Sequence, residues 1–321
     1  MLAAVVDDPR DEGPSHADPA RYAELAGFGD DYRGLWHNPD YLAFLGARWR
    51  LDRCTTLLDV GCGAGHFGLS LLPHLHESAT LTGVDSEPAF LDALHERAAV
   101  AGVAHRLGAR VGQATALPFP DGAFDLVVCH TLLIHVPDPA AVVAEMARVT
   151  APSGIVLCCE PDNLAGDVAL LGSSLGTSDD DVIAIVRLLL TCHAGKRALG
   201  EGDERVGHRL PGLLDAAGLA DVDCRQNDRC MTLLPPYARD DMQLMLDREL
   251  TWADQGIALM GGDREDARRL FRAASPNAAA FERGWTALSR WREGFAEAAR
   301  AGTFAAARGY VMYMAAGRRS A

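Results

Sequence analysis

The chain has 321 residues, 49% of them apolar and 23% charged, with a formal net charge of −14 at pH 7. This length and balance fit a globular protein of two domains, or of one domain with large insertions. The acidity, with no Lys/Arg run interleaved with aromatics, excludes a nucleic-acid partner, and no apolar run reaches the roughly 18 residues of a membrane span.

The N-terminus "MLAAVVDDPRDEGPS" has neither a basic start nor a long apolar centre, so a cytoplasmic protein with no membrane partner is expected. Residues 1–20 are polar and rich in Asp, Pro and Gly, and read as a mobile N-terminus. Residues 21–50 read as a helical lid segment, because Tyr41, Leu42, Leu45 and Trp49 follow the helix start Asn38-Pro39-Asp40 at helical spacing. Trp36, His37 and Tyr41 are its candidate ligand-facing side chains.

From 51 to 162 apolar runs alternate with helical patterns. Strands are expected at 56–60, 80–84, 107–111, 124–129 and 154–160, with helices at 64–75, 88–101 and 139–149. Such alternation means parallel strands with helical crossovers. The segment 163–207 breaks the pattern with one clear helix near 179–193 and reads as a helical insert. Residues 208–237 resume the core as a helix ending at Gly218 and one strand in "DVDCRQNDRCMTLLPP". A second insert, 238–305, carries Trp285, Leu288, Trp291 and Phe295 at helical intervals, and 306–321 supply the last strand and tail. The fold class is α/β, a doubly wound, mostly parallel seven-stranded sheet with helical cap insertions.

The chemistry concentrates in "LLDVGCGAGHFG", Leu57–Gly68. A buried strand, a loop able to take positive φ, and a helix follow one another, so a ligand can approach bare backbone. Gly63-Ala64-Gly65-His66-Phe67-Gly68 also contains the dinucleotide pattern, whereas a phosphate-binding P-loop fails for want of Gly-Lys-Ser/Thr. Asp59 ahead of the glycines would repel a pyrophosphate and suit an ammonium. Asp85, twenty-six residues later at the end of the second strand, suits both hydroxyls of a ribose.

These residues, with "LTGVDSEPAFLDAL", "QATALPFPDGAFDLVVCH" and "LLIHVPDPAAVVAEMARVTAPSGIVLCCEP", resemble the class I S-adenosylmethionine-dependent methyltransferases, in their small-molecule branch. The resemblance covers about residues 50–162 and leaves both inserts uncovered. It implies S-adenosyl-L-methionine as cofactor and S-adenosyl-L-homocysteine as product. Asp59, Gly61, Gly63 and Gly65 would hold the methionyl part, Asp85 and Ser86 the ribose, and Gln113 and Ala114 the adenine. Gln113 stands where the family usually has Asp, and its carbonyl can still accept from the adenine amine. His130 would lie near the sulfonium, with Tyr41 on the same cofactor.

Methyl transfer is an in-line displacement that needs positioning, a dry cleft and, for a weak nucleophile, removal of a proton. Glu160 and His130 are the candidate catalytic groups; Glu160, Asp162 and Trp36 are the candidate substrate-binding ones. Two carboxylates there would orient a cationic amine or guanidine, which tilts the acceptor from oxygen or carbon toward nitrogen. In the second insert Asp247, Glu249 and Trp252 suit an acceptor and a solvated helix surface equally. A macromolecular acceptor, a non-catalytic cofactor-binding subunit and a nicotinamide-dependent oxidoreductase are the rivals, and a homodimer stays open. Eight cysteines without C-x-x-C spacing, Cys158 and Cys159 pointing to opposite faces of a strand, give no expectation of a metal.

Overall fold

A computed structural model describes residues 32–171, 175–257 and 262–320. The expected mobile stretch 1–20, and 21–31 of the lid segment, lie outside the described residues. The chain divides into two compact units. An α/β unit takes 33–162, 205–229 and the stretch from Tyr310, while a helical unit takes Tyr32, the described parts of 163–204, and those of 230–309.

In chain order, α1 (Pro39–Trp49) starts with Pro at its first position and buries Leu42, Leu45 and Trp49. Then come β1 (Thr56–Val60), α2 (His66–Leu71), β2 (Thr80–Asp85), α3 (Pro88–Val100), β3 (Leu107–Val111) and β4 (Phe124–His130). The helix expected over 64–75 is shorter because Pro73 cannot continue it, and a 3-10 turn at Leu72–His74 takes over. Helix α4 (Pro139–Val149) shows how the local sequence fixes a boundary. Asp138 accepts from the Ala141 amide at 3.0 Å and Pro139 presets the first turn. Losing that cap costs about 1 kcal/mol.

Strand β5 (Thr150–Pro161) is longer than expected at both ends. Helices α5 (Asn163–Leu171) and α6 (Asp179–Ala198) follow in the helical unit, then α7 (Leu210–Ala216) and β6 (Ala220–Gln226) in the α/β unit. The single strand expected across "DVDCRQNDRCMTLLPP" is two. β6 ends at Gln226, and β7 (Met231–Leu233) pairs antiparallel with β8 (Ala306–Arg308) in a separate ribbon. Between these strands lie α8 (Asp240–Asp254), α9 (Arg264–Ala274) and α10 (Ala278–Arg300), before β9 (Met312–Arg318) closes the chain's secondary structure.

The main sheet has seven strands in the order β3-β2-β1-β4-β5-β9-β6, parallel from β3 to β5 and antiparallel on both sides of β9. This is the doubly wound sheet expected from the alternation, with the strand order reversing between β1 and β4, where such folds hold ligands. The inner strands β1, β4, β5 and β9 are largely buried on both faces, while the edge strands β3 and β6 have no buried residue. Leu126 and Val128 pack on one side with α1 and α2, and Val127 and Cys129 on the other with α4 and α7. The same two-residue period sends Cys158 and Cys159 to opposite faces.

In the helical unit α6, α9 and α10 share a core around Leu188, Cys192, Leu270 and Phe281. Gly195 lets α6 meet α9: a Cβ there would stand 1.7 Å from the Leu270 carbonyl oxygen. Buried Arg269 binds Glu201 with two parallel bonds of 2.6 and 2.8 Å, and Lys196 forms a buried ion pair with Glu204. Glu249 and Trp252 pack in this same unit, against the hydroxyl and the ring of Tyr32.

Candidate functional site

The loop between β1 and α2 is fixed by backbone, not by side chains. Gly61 and Gly65 have φ of +64° and +78°. A side chain at Gly65 would also place its Cβ 2.2 Å from Leu94 Cδ1, so left-handed backbone and close packing both require glycine there. The Cys62 amide donates to the Val84 carbonyl at 3.0 Å, tying the loop to β2.

Asp85 closes the arrangement. Its Oδ2 accepts from the Gly63 amide at 2.9 Å and its Oδ1 from the Glu87 amide at 3.0 Å, which sets the carboxylate at the end of β2 against the loop. The Asp85 carbonyl accepts from the Gly112 amide at 3.0 Å, so the turn carrying Gln113 and Ala114 lies beside it. Burial pushes the Asp85 carboxyl above the usual carboxylate range. Ser86 and Gln113 are exposed and Ala114 is half-buried. Bare main chain, an oriented acceptor and two exposed polar side chains fit the ribose and base of a nucleoside.

Asp59 is placed otherwise than expected. Only 1% exposed, it accepts from the Gly68 amide at 3.0 Å. It pins the start of α2 instead of meeting an ammonium, and burial raises its pKa to about 7.

Glu160 also needs correcting. It is fully buried, and its Oε1 accepts from the Leu132 and Leu133 amides at 2.8 and 2.9 Å while Oε2 faces the Ile134 amide at 3.3 Å. Its side chain is spent capping the 3-10 turn Leu133–His135, so it is not open to a substrate amine. Burial lifts its pKa to about 7, against the lowering effect of those amides. Asp162 likewise has local partners, His208 Nδ1 at 3.3 Å and Arg205 Nε at 3.9 Å. Tyr41 donates its hydroxyl to the Gln226 carbonyl at 2.8 Å on edge strand β6. That strand lies four places from β1, about 19 Å at the usual strand spacing, so Tyr41 is removed from the cofactor set.

The ends of β4 and β5 gather a second group that the sequence named only in part. His130, the last residue of β4, has Trp36 stacked at 5.5 Å and Phe67 of α2 tilted at 4.7 Å between ring centroids. Its Nε2 lies 3.0 Å from His37 Nε2, and Cys159 Sγ lies 3.8 Å from the same His37 nitrogen. Burial holds both imidazoles neutral, His37 at about 4 and His130 well below its usual value. The next residue, Thr131, sits at φ +52°; its hydroxyl donates to the His130 carbonyl at 2.7 Å and accepts from Arg33 Nη1 at 3.1 Å. The Arg33 guanidinium in turn lies 4.6 Å from the Trp36 ring centre.

Two of the candidate site residues, His130 and Trp36, thus lie against each other, with Phe67, Thr131 and Cys159 beside them. Strand parity gives the face of Cys159, that of Leu157, but only the pairing of β4 with β5 sets it beside His130. Nothing in the sequence marks Phe67 or the left-handed Thr131.

Residues 58–158 match a family model described as a methyltransferase domain. An uncharacterized methyltransferase of Schizosaccharomyces pombe is 31% identical over 138 residues, covering 41% of this chain and 49% of that protein. A ubiquinone biosynthesis O-methyltransferase of Sodalis glossinidius is 34% identical over 152 residues, covering 46% and 57%. The chain therefore spans about half the length of the curated relatives it matches. Among solved structures, a phosphoethanolamine N-methyltransferase of Haemonchus contortus, crystallised with phosphomonomethylethanolamine and S-adenosylhomocysteine, is 15% identical with a TM-score of 0.45, covering 88% and 53%. Residues 58–158 are a methyltransferase domain, and the sheet around them has the class I architecture.

Proposed function

We propose that the α/β unit binds S-adenosylmethionine and transfers its methyl group to a small soluble acceptor, releasing S-adenosylhomocysteine. The observation that carries this reading is the 2.9 Å bond from the Gly63 amide to Asp85, which joins the glycine loop and the second-strand acid. The methyltransferase-domain match over 58–158 supports it.

When bound, the cofactor supplies an electrophilic methyl on a sulfonium, and the chain's residues do the positioning. Asp85 accepts from the ribose hydroxyls with both oxygens preset by backbone amides. Ser86 borders that ribose, and Gln113 with Ala114 flanks the adenine. Gly61, Gly63 and Gly65 admit the methionyl part against main chain, because no Cβ intrudes. Trp36, Phe67 and His130 wall the far end with aromatic faces, which suit a cation and exclude water.

The acceptor is a metabolite-sized molecule in keeping with the acidic chain, whose net charge of −14 disfavours a nucleic acid. Nitrogen as acceptor atom keeps only that acidity in its support, since Glu160 and Asp162 are committed to local partners. An oxygen acceptor stands level with it, in line with the O-methyltransferase relative. The test is incubation with methyl-labelled S-adenosylmethionine and fractionated metabolites. Label in a small molecule is the expected result. Calorimetric cofactor binding with no label transferred would reduce the chain to a binding module, and label in tRNA or protein would make the acceptor macromolecular.

A further inference from the structure

We propose that His37, His130 and Cys159 form a binding site for one thiophilic divalent cation, zinc by the chemistry of its donors. The three come from separate parts of the α/β unit: a turn before α1, the end of β4 and the end of β5. Their Nε2, Nε2 and Sγ atoms all lie within 4.8 Å of one another. Tetrahedral zinc with its usual bond lengths sets nitrogen ligands about 3.3 Å apart and nitrogen and sulfur about 3.6 Å apart. The observed 3.0 and 3.8 Å differ from these by a few tenths of an ångström.

The donor set selects the ion. Two imidazoles and one thiol, without a carboxylate among them, suit zinc and disfavour magnesium and calcium, which want oxygen. Rotation of the His130 ring is blocked by Trp36 and Phe67 on its sides, so its nitrogen is aimed before any ion arrives. Three protein ligands leave a fourth tetrahedral position for water or another small donor. The sequence gives no sign of this, since the donors are separated by 93 and 122 residues and only the fold joins them.

The ion would clamp the turn carrying Trp36 and His37 to the sheet's carboxyl edge. A ligated His130 Nε2 accepts no proton from an acceptor, so this site excludes His130 as a general base. The proposal stands or falls apart from the methyl-transfer reading, because it is tested by metal binding alone.

The full chain, reduced and dialysed against chelator, is titrated with zinc chloride in competition with a chromogenic chelator. One equivalent held against the chelator is expected. Cobalt(II) in place of zinc should give the ligand-field bands of a tetrahedral site and a thiolate-to-cobalt charge-transfer band. Cys159→Ser should abolish that band, and His37→Gln should weaken zinc by tenfold or more, the scale that loss of even an outer-shell partner reaches. Cys230→Ser, at an exposed thiol, should change neither. Absence of a held equivalent, a cobalt spectrum without thiolate in the unmutated chain, or a band that survives Cys159→Ser overturns the proposal. The unmutated chain's spectrum decides even where a variant fails to fold.

Discussion

Replacing Glu160 by glutamine should destabilise the α/β unit, and by less at pH 8 than at pH 6. The carboxyl accepts from three successive backbone amides. An amide side chain must turn its own N–H₂ toward one of them, and a buried donor facing a donor costs about 1–3 kcal/mol. The pH term comes from linkage. Glu160 titrates near 4.5 when unfolded and near 7 when folded. Between those values the folded chain holds a proton that the unfolded chain has released, so this group's contribution to stability is full below 4.5 and is lost as pH rises through 7. From pH 6 to 8 the loss amounts to about 1–2 kcal/mol. Glutamine has no such contribution to lose, and every other group titrates alike in both proteins. The stability gap between them should therefore narrow by that amount. Urea unfolding at the two pH values, with hydrogen exchange on the segment 126–134 to identify the transition, measures it. A gap that stays constant or widens with pH would mean that Glu160 is an ordinary buried carboxylate ion, and the reasoning from burial would fail.

Asp85→Ala should weaken S-adenosylhomocysteine binding by at least tenfold in calorimetry, because each bond to a charged acceptor is worth about 1.5–3 kcal/mol. Unchanged affinity would remove Asp85 from the proposed cofactor site. Gly65→Ala meets both a left-handed backbone and Leu94 at 2.2 Å, and should cost about 2–4 kcal/mol in chemical unfolding. Gly102→Ala, with φ +72° but open space around it, should cost only about 1–2 kcal/mol. Equal losses would show that packing at the loop is irrelevant. Gly195→Ala should disrupt the α6–α9 crossing and speed hydrogen exchange over 185–195 and 265–274, since the intruding Cβ meets backbone that cannot rotate away. Native protection of both segments would contradict that contact.

What the sequence disclosed follows from periodicity. The inner parallel strands β1, β4 and β5 are apolar runs largely buried on both faces, and such runs read clearly because neither face needs polar residues. Edge strand β6, "ADVDCRQ", is largely polar and has no buried residue, so no alternation marks its end against β7. Where backbone carries the pattern, the placement was legible: Gly61–Gly65 lie between β1 and α2, and Asp85 ends β2. An acid is harder to place, because its carboxylate can face either a ligand or a neighbouring amide. Asp59 and Glu160 each stand at a strand end beside the start of a helix or turn, and composition cannot tell which way such a carboxylate points. Tyr41 illustrates a third gap: helical spacing tells that a residue packs inward and not which strand lies beneath it.

The position of β9 bears on how the chain is made. It is the last strand of the sheet to emerge during synthesis, yet it lies between β5 and β6 and supplies the hydrogen bonds of both. Until residues 312–318 have left the ribosome, β5 offers an open apolar edge and β6 has no neighbour to join. For that interval the nascent protein carries the kind of unpaired border that recruits other strands. Chaperone demand should fall abruptly once this strand is released, and a ribosome stalled before Met312 would hold a species prone to aggregate.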